Sequence, residues 1–395
     1  MSFKAKNISK NIWWVGAIDW NLRNFHGYLT PRGSTYNAYL IVDEKVALID
    51  TAKKPFAPEL MERVSSVLPV EKIDYVIANH VEMDHSGSLA AIKQAAPKAK
   101  LVADARAAQD INRHFKQNWE FQVVKTGDVL SLGSRSLNFV EVPMVHWPDS
   151  MVTYCPEEKI LFSNDAFGQH LATYERFDDQ LNWNDLRAEA AKYYANIVLP
   201  FAAPTTKALS AVAGLEIQTI CPSHGLIWRK NVGEIISCYK DWAANKTKPK
   251  AVIVYDTMWN STEQMALAIA EGISSKGIGC KIFDLKITDI SEIMKEILEA
   301  KAIIVGSPTL NNGMLPTVGG FLTYLKGLKP QNRIGFTFGS FGWGGGSVKA
   351  IEAELKATGI ELVKEAITAK YIPDENELEN CYQSGQTVAK LIKNA

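Results

Sequence analysis

Short apolar runs alternate with polar loops along the whole chain, but the rhythm changes near residue 248. Before it the runs are brief and of strand type: 37–42 (NAYLIV), 46–50 (VALID), 73–78 (IDYVIA) and 151–155 (MVTYC). Runs rich in β-branched and aromatic residues and bounded by polar turns predict buried strands. Helical spacing of apolar positions falls near 57–68 and 184–198, so this region reads as a mixed α/β layer structure. The polar stretch 245–250 (NKTKPK) reads as a linker, placing a boundary between residues 248 and 249.

After the linker, strands and helices alternate regularly. The strands are AVIVY at 251–255, CKIFDL at 280–285, AIIVG at 302–306, RIGFTF at 333–338 and a weaker one near 361–366. Helices are expected from about Ser261, near 291–299, from Pro316, after Gly346 and from about Glu375. This order predicts a doubly wound parallel sheet, in which ligands sit beyond the carboxyl ends of the strands.

Three loops leave those ends. The first, 256–262 (DTMWNST), presents Thr257, Met258, Trp259, Asn260, Ser261 and Thr262 ahead of a helix whose N-terminus suits a phosphate. The second presents Ser307, Pro308, Thr309, Leu310, Asn311 and Asn312. The third, 339–346 (GSFGWGGG), carries Ser340, Phe341, Gly342, Trp343 and Gly344, with enough glycine for the backbone to approach a flat ring and a tryptophan to stack on it. Singly, such features are ordinary caps, turns and packing. On one rim and in this order they resemble the flavin mononucleotide (FMN) loops of flavodoxins. The nicotinamide pattern GxGxxG is absent after the first strand.

The first region carries His80, Glu82, Asp84 and His85 in the spacing HxExDH, followed by the isolated His146, Asp165 and His224. The four groups end or follow YVIAN, LNFVEVP, ILFSND and TICPSH, so four strands are expected to deliver seven N/O ligands to one rim of a sheet. Imidazoles and carboxylates without thiolate suit iron, manganese or zinc. With one bridging hydroxide, three carboxylates neutralise two divalent ions, which lowers the cost of burying them. Zinc has no redox chemistry, so a flavin domain beside the site favours iron.

HxExDH resembles HxHxDH, the signature of the metallo-β-lactamase superfamily, with Glu82 in place of its second histidine. With the flavodoxin-like second half, essentially the whole chain resembles the flavodiiron proteins of the rubredoxin:oxygen oxidoreductase type. The resemblance implies an α/β fold: a metallo-β-lactamase-like αββα diiron domain over 1–248, then a flavodoxin-like FMN-binding domain over 249–395. It implies one iron held by His80, Glu82 and His146, the other by Asp84, His85 and His224, with Asp165 bridging. It further implies reduction of dioxygen to water, of nitric oxide to nitrous oxide, or both, in a head-to-tail homodimer or a dimer of dimers. CxxC pairs of a fused rubredoxin are missing, so electrons are expected from a separate rubredoxin or similar small carrier. His26, His170 and Tyr194 are the candidates for the substrate pocket. His114 reads as a surface or core side chain, Cys221 as a buried thiol rather than a ligand, and Trp147 as packing behind the ligands.

Composition narrows the partners. Lys+Arg and Asp+Glu each number 43, so no net field attracts nucleic acid or an anionic membrane. No run approaches the roughly 18 apolar residues of a membrane span, and no signal peptide is evident. Five cysteines without a CxxC pair point to a reducing cytoplasm. Two rival readings remain at this stage, a metallohydrolase with an attached flavodoxin domain and a non-catalytic oxygen sensor.

Overall fold

The apolar runs of the first region pair into two sheets. In the computed structural model, which describes residues 3–394, the first sheet has seven strands in the order Lys6–Ser9, Ile12–Trp14, Tyr39–Val42, Val46–Ile49, Tyr75–Ile77, Lys100–Ala103 and Phe121–Val123. The second has five: Val129–Ser131, Ser136–Glu141, Met151–Cys155, Ile160–Asn164 and Thr219–Pro222. Alternate residues of the first sheet divide between two cores. Leu40, Leu48, Val76 and Leu101 pack with Leu60, Ile92 and Ile111 of helices Ala57–Ser65, Leu89–Ala95 and Ala105–Phe115. Tyr39, Ile41, Ile49, Ile77 and Val102 pack instead with Phe139, Met151, Ile160 and Phe162 of the second sheet. On that sheet's other face Val152, Tyr154 and Leu161 meet Ala208 and Val212 at helix Ala202–Ala211. The result is an αββα sandwich. Its strands read as unbroken apolar runs because both faces are covered.

The chain divides into two units: one up to Tyr193 together with Phe201–Lys240, the other Tyr194–Pro200 together with the residues from Asp241. The helical pattern expected over 184–198 is helix Trp183–Tyr193 followed by a wide π-type turn, Tyr194–Val198. That turn belongs to the second unit, where Asn196 Oδ1 accepts from Tyr324 Oη at 2.8 Å and Asn196 Nδ2 donates to the Ser291 carbonyl at 3.1 Å.

The second unit has a parallel sheet in the order Gly279–Asp284, Lys248–Tyr255, Ala300–Gly306, Ile334–Phe341, then an edge strand. This is the doubly wound order 2-1-3-4-5 of flavodoxins. The edge differs from the single strand expected over 361–366. Glu361–Leu362 pairs with Ile334 and Gly335, and Ile367–Lys370 pairs with Phe338 to Phe341. The chain advances five positions from Leu362 to Ile367 where the partner advances three, so the edge bulges and resumes farther along. That shift carries Tyr371 and Ile372 to the ligand rim.

Candidate metal centre and flavin cavity

The residues of HxExDH lie on two kinds of backbone. His80 and Glu82 sit in the loop after strand Tyr75–Ile77, whereas Asp84 and His85 occupy the single helical turn Met83–Ser86. His146, Asp165 and His224 follow strands Ser136–Glu141, Ile160–Asn164 and Thr219–Pro222. The rim therefore belongs to two facing sheets, not one as expected, because the strand before His80 lies in the first sheet and the other three in the second.

The seven side chains converge, and Asp165 divides them. Its Oδ2 lies 3.3 Å from His146 Nε2 and 3.7 Å from His80 Nε2, and Glu82 Oε2 is 3.4 Å from both imidazoles. Its Oδ1 lies 3.2 Å from His85 Nε2 and 3.3 Å from His224 Nε2, and these nitrogens are 3.4 and 3.2 Å from the two oxygens of Asp84. One carboxylate thus faces two nests of nitrogen and oxygen donors.

The donor atoms fit metal ions. His80 Nε2, His85 Nε2, both oxygens of Asp84 and Asp165 Oδ2 are buried without a hydrogen-bond partner, an arrangement that costs free energy unless something binds them. Burial alone would lower the histidine pKa values, but the carboxylates reverse this: contacts with Asp165 and Glu82 carry His146 to about 9, and contacts with Asp165 and Asp84 carry His224 to about 10. The pocket attracts cations strongly enough to protonate its own imidazoles, and metal ions compete with those protons.

The second unit holds a cavity of about 870 Å³ at the carboxyl ends of its strands, within the range for cofactor sites. Met258, Trp259 and Ser261 line it from the first loop, Pro308 to Asn312 from the second and Ser340 to Gly344 from the third; Tyr371 and Ile372 add a fourth wall. Thr257, Asn260, Thr262 and Ser307 do not line it. Asn260 turns the chain with φ +63° into helix Ser261–Ser274, whose first turn has no side-chain cap. Thr257 is buried with Oγ1 unpartnered, and Thr262 Oγ1 lies 3.1 Å from Ser340 Oγ. Ser307 Oγ instead donates to the Pro308 carbonyl and accepts from Leu315 N–H, holding its own loop. An uncapped helix head beside an unpartnered hydroxyl fits a phosphate. The loops approach this closely because of glycine: a Cβ on Gly346 would stand 2.1 Å from the Asn312 carbonyl oxygen.

Comparison with known proteins gives the same two halves. Residues 35–225 match the ODP family beta lactamase model and residues 253–385 the flavodoxin model. A nitric oxide reductase of Moorella thermoacetica is 49% identical over 98% of this chain and 98% of its own. The rubredoxin oxygen:oxidoreductase structure from Desulfovibrio gigas superposes with TM-score 0.97 at 44% identity, covering 99% of each chain. The flavodiiron protein structure from Giardia intestinalis superposes with TM-score 0.96 at 35% identity, over 100% of this chain and 98% of its own.

The chain belongs to the flavodiiron protein family. It is an FMN- and iron-dependent reductase with a metallo-β-lactamase-like first domain, a flavodoxin-like second domain and a non-haem diiron site.

Around this flavodiiron site the structure adds residues the sequence did not single out. Asp149 Oδ2 accepts from His80 Nδ1 and from Val81 N–H, each at 2.8 Å, fixing the tautomer that leaves His80 Nε2 for a metal. His224 Nδ1 donates to the Thr35 carbonyl at 2.6 Å with the same effect. Tyr193, the neighbour of the expected Tyr194, reaches the centre, donating to Asp165 Oδ1 at 2.8 Å. Tyr194 lies in the other unit with its ring 5.3 Å from that of Trp242. His170 is buried beside His224 and Tyr193, its Nδ1 2.7 Å from Ser34 Oγ and its Nε2 unpartnered. Burial, then the neighbouring His224, pushes its pKa well down, so it is neutral. His26 stands on the exposed side, Nε2 3.0 Å from Glu82 Oε1. Trp147 packs edge-on against His80, Cys221 is in the core and His114 is exposed.

Asp149 follows His146 closely in HWPDS, so an acid near a ligand was a usable signal. Choosing Tyr193 over Tyr194 was not available from sequence, because adjacent tyrosines differ only in the direction each faces.

Proposed function

We propose that the protein reduces dioxygen to water, nitric oxide to nitrous oxide, or both, with electrons entering from rubredoxin or a similar small carrier. The observation that carries this reading is the division of Asp165: one oxygen turned to His80 and His146, which Glu82 also contacts, the other to His85 and His224, which Asp84 also contacts. His80, Glu82 and His146 would hold one iron and Asp84, His85 and His224 the other, with Asp165 spanning both. Iron held by these residues would supply the redox chemistry at the gas, and FMN in the second domain would be its source of electrons.

The chain's own residues set the conditions. Asp149 and the Thr35 carbonyl orient His80 and His224. Tyr193 holds Asp165 in place through its hydroxyl. His26, with a largely exposed side chain, places Nε2 3.0 Å from Glu82 Oε1 at the solvent side of the centre. Neutral His170 covers the other side with Phe25 and Tyr28 against its ring. Trp259 and Trp343, 87% and 95% exposed at the flavin cavity, suit an edge met by a second copy of the chain, which supports head-to-tail pairing. No helix among the described residues is long and apolar enough to cross a membrane, in keeping with a cytoplasmic setting.

The deciding experiment is an anaerobic electrode assay of iron- and FMN-loaded protein with reduced rubredoxin, on dioxygen and on nitric oxide. Turnover on either gas is expected. No turnover on both at full cofactor occupancy would transfer the assignment to a hydrolase or a sensor. Asp165→Ala is expected to abolish iron loading while FMN stays bound; iron retained with full activity would overturn the ligand assignment.

A further inference from the structure

Val145 and Ala166, the chain neighbours of His146 and Asp165, line a small cavity of about 30 Å³ that takes no part in either donor nest. Val152 and Leu161 of the second sheet form its floor, and Ala208 and Leu209 of helix Ala202–Ala211 its roof. Its surface is apolar throughout. The three hydroxyl-bearing residues in the wall already have partners: Ser163 Oγ donates to the Ala166 carbonyl at 2.7 Å, Thr205 Oγ1 donates to the Phe201 carbonyl at 2.9 Å, and Tyr239 Oη accepts from Phe167 N–H at 2.7 Å. A water molecule needs two to four polar partners and finds none here, although the space suffices, since about 10–15 Å³ holds one. Apolar cavities of this kind stay dry and take up uncharged guests such as xenon.

We propose that this cavity is a holding site for one molecule of a small uncharged gas of the dioxygen or nitric oxide class. The proposal rests on the functional reading above. Its place supports that occupant: the two ligands whose neighbours line it, His146 and Asp165, face one another at 3.3 Å in the same donor nest. A dry pocket one residue behind that nest concentrates an apolar substrate where water and anions gain nothing by entering.

The test is a crystal of the iron- and FMN-loaded protein pressurised with xenon, paired with Ala208→Leu, which fills the cavity from a helix that supplies no ligand. One xenon between Leu161 and Ala208 is expected in the parent and none in the variant. In turnover the variant should keep kcat and raise KM for the gas severalfold. Absence of xenon density in the parent overturns the proposal, as does an unchanged KM in a variant that has lost the xenon. If Ala208→Leu does not fold, Ala208→Val makes the same test with a smaller filling. Xenon bound here in a protein that reduces neither gas would instead overturn the functional reading and leave the gas site standing.

Discussion

Asp149 grips His80 from behind the metal centre: its Oδ2 accepts from the imidazole Nδ1 and from the next backbone N–H, both at 2.8 Å. Burial would raise the carboxyl pKa, but its contact with His80 holds it below the usual range, so it stays charged. Asp149→Ala should therefore weaken iron retention by about 10- to 100-fold, the usual effect of losing such a support. Chelator competition measures this, and flavin titration should show FMN affinity unchanged. Iron held as tightly as in the parent would refute the support role.

Adjacent tyrosines should separate cleanly. Tyr193→Phe removes a buried hydrogen bond to a carboxylate, worth about 1.5–3 kcal/mol, so iron retention should weaken by roughly tenfold or more. Tyr194→Phe alters the other unit and should leave iron retention untouched. Equal effects in the two variants would contradict the geometry.

Thr257 offers a prediction with opposite signs in two states. Its buried, unpartnered Oγ1 burdens the flavin-free protein and suits the FMN phosphate. Thr257→Val should lower FMN affinity by about 1–3 kcal/mol, roughly 5- to 150-fold, while raising the Tm of the flavin-free form. Fluorescence titration and a melting curve read the two effects separately.

A pH effect is expected at Asp104, which caps helix Ala105–Phe115 by accepting from Arg106 and Ala107 N–H. Burial raises its pKa to about 6 against an ordinary 3.8. The folded state thus holds the proton more tightly than the unfolded chain, and this group's support for folding, complete below about pH 4, is lost as pH rises through 6. Unscreened, the shift amounts to about 3 kcal/mol; solvent screening reduces it to about 1 kcal/mol. Asn caps as well as Asp, so Asp104→Asn should raise Tm at pH 8 and not at pH 4. A gain of equal size at both pH values would remove ionisation as the cause.

Local sequence determined a great deal here. Strand and helix periods and the seven donor residues that converge around Asp165 were readable because strand type, turn chemistry and donor identity are properties of short segments, whereas the stretch 245–250 expected as a linker runs into strand Lys248–Tyr255 and the units divide after Lys240 instead. The first two flavin loops were readable for the same reason, and glycine near 339–346 announced the close approach that Gly346 makes to Asn312. The tertiary structure alone decided which strands share a sheet, so that the metal rim draws on two sheets rather than one. It also decided that Tyr371 joins the flavin cavity after an edge bulge, that Asp149 stands behind His80, and that Tyr193 faces Asp165 while Tyr194 packs against Trp242. The physical reason is common to all four. Periodicity fixes which residues share a face, but the object that face meets is set by packing between segments far apart in the chain.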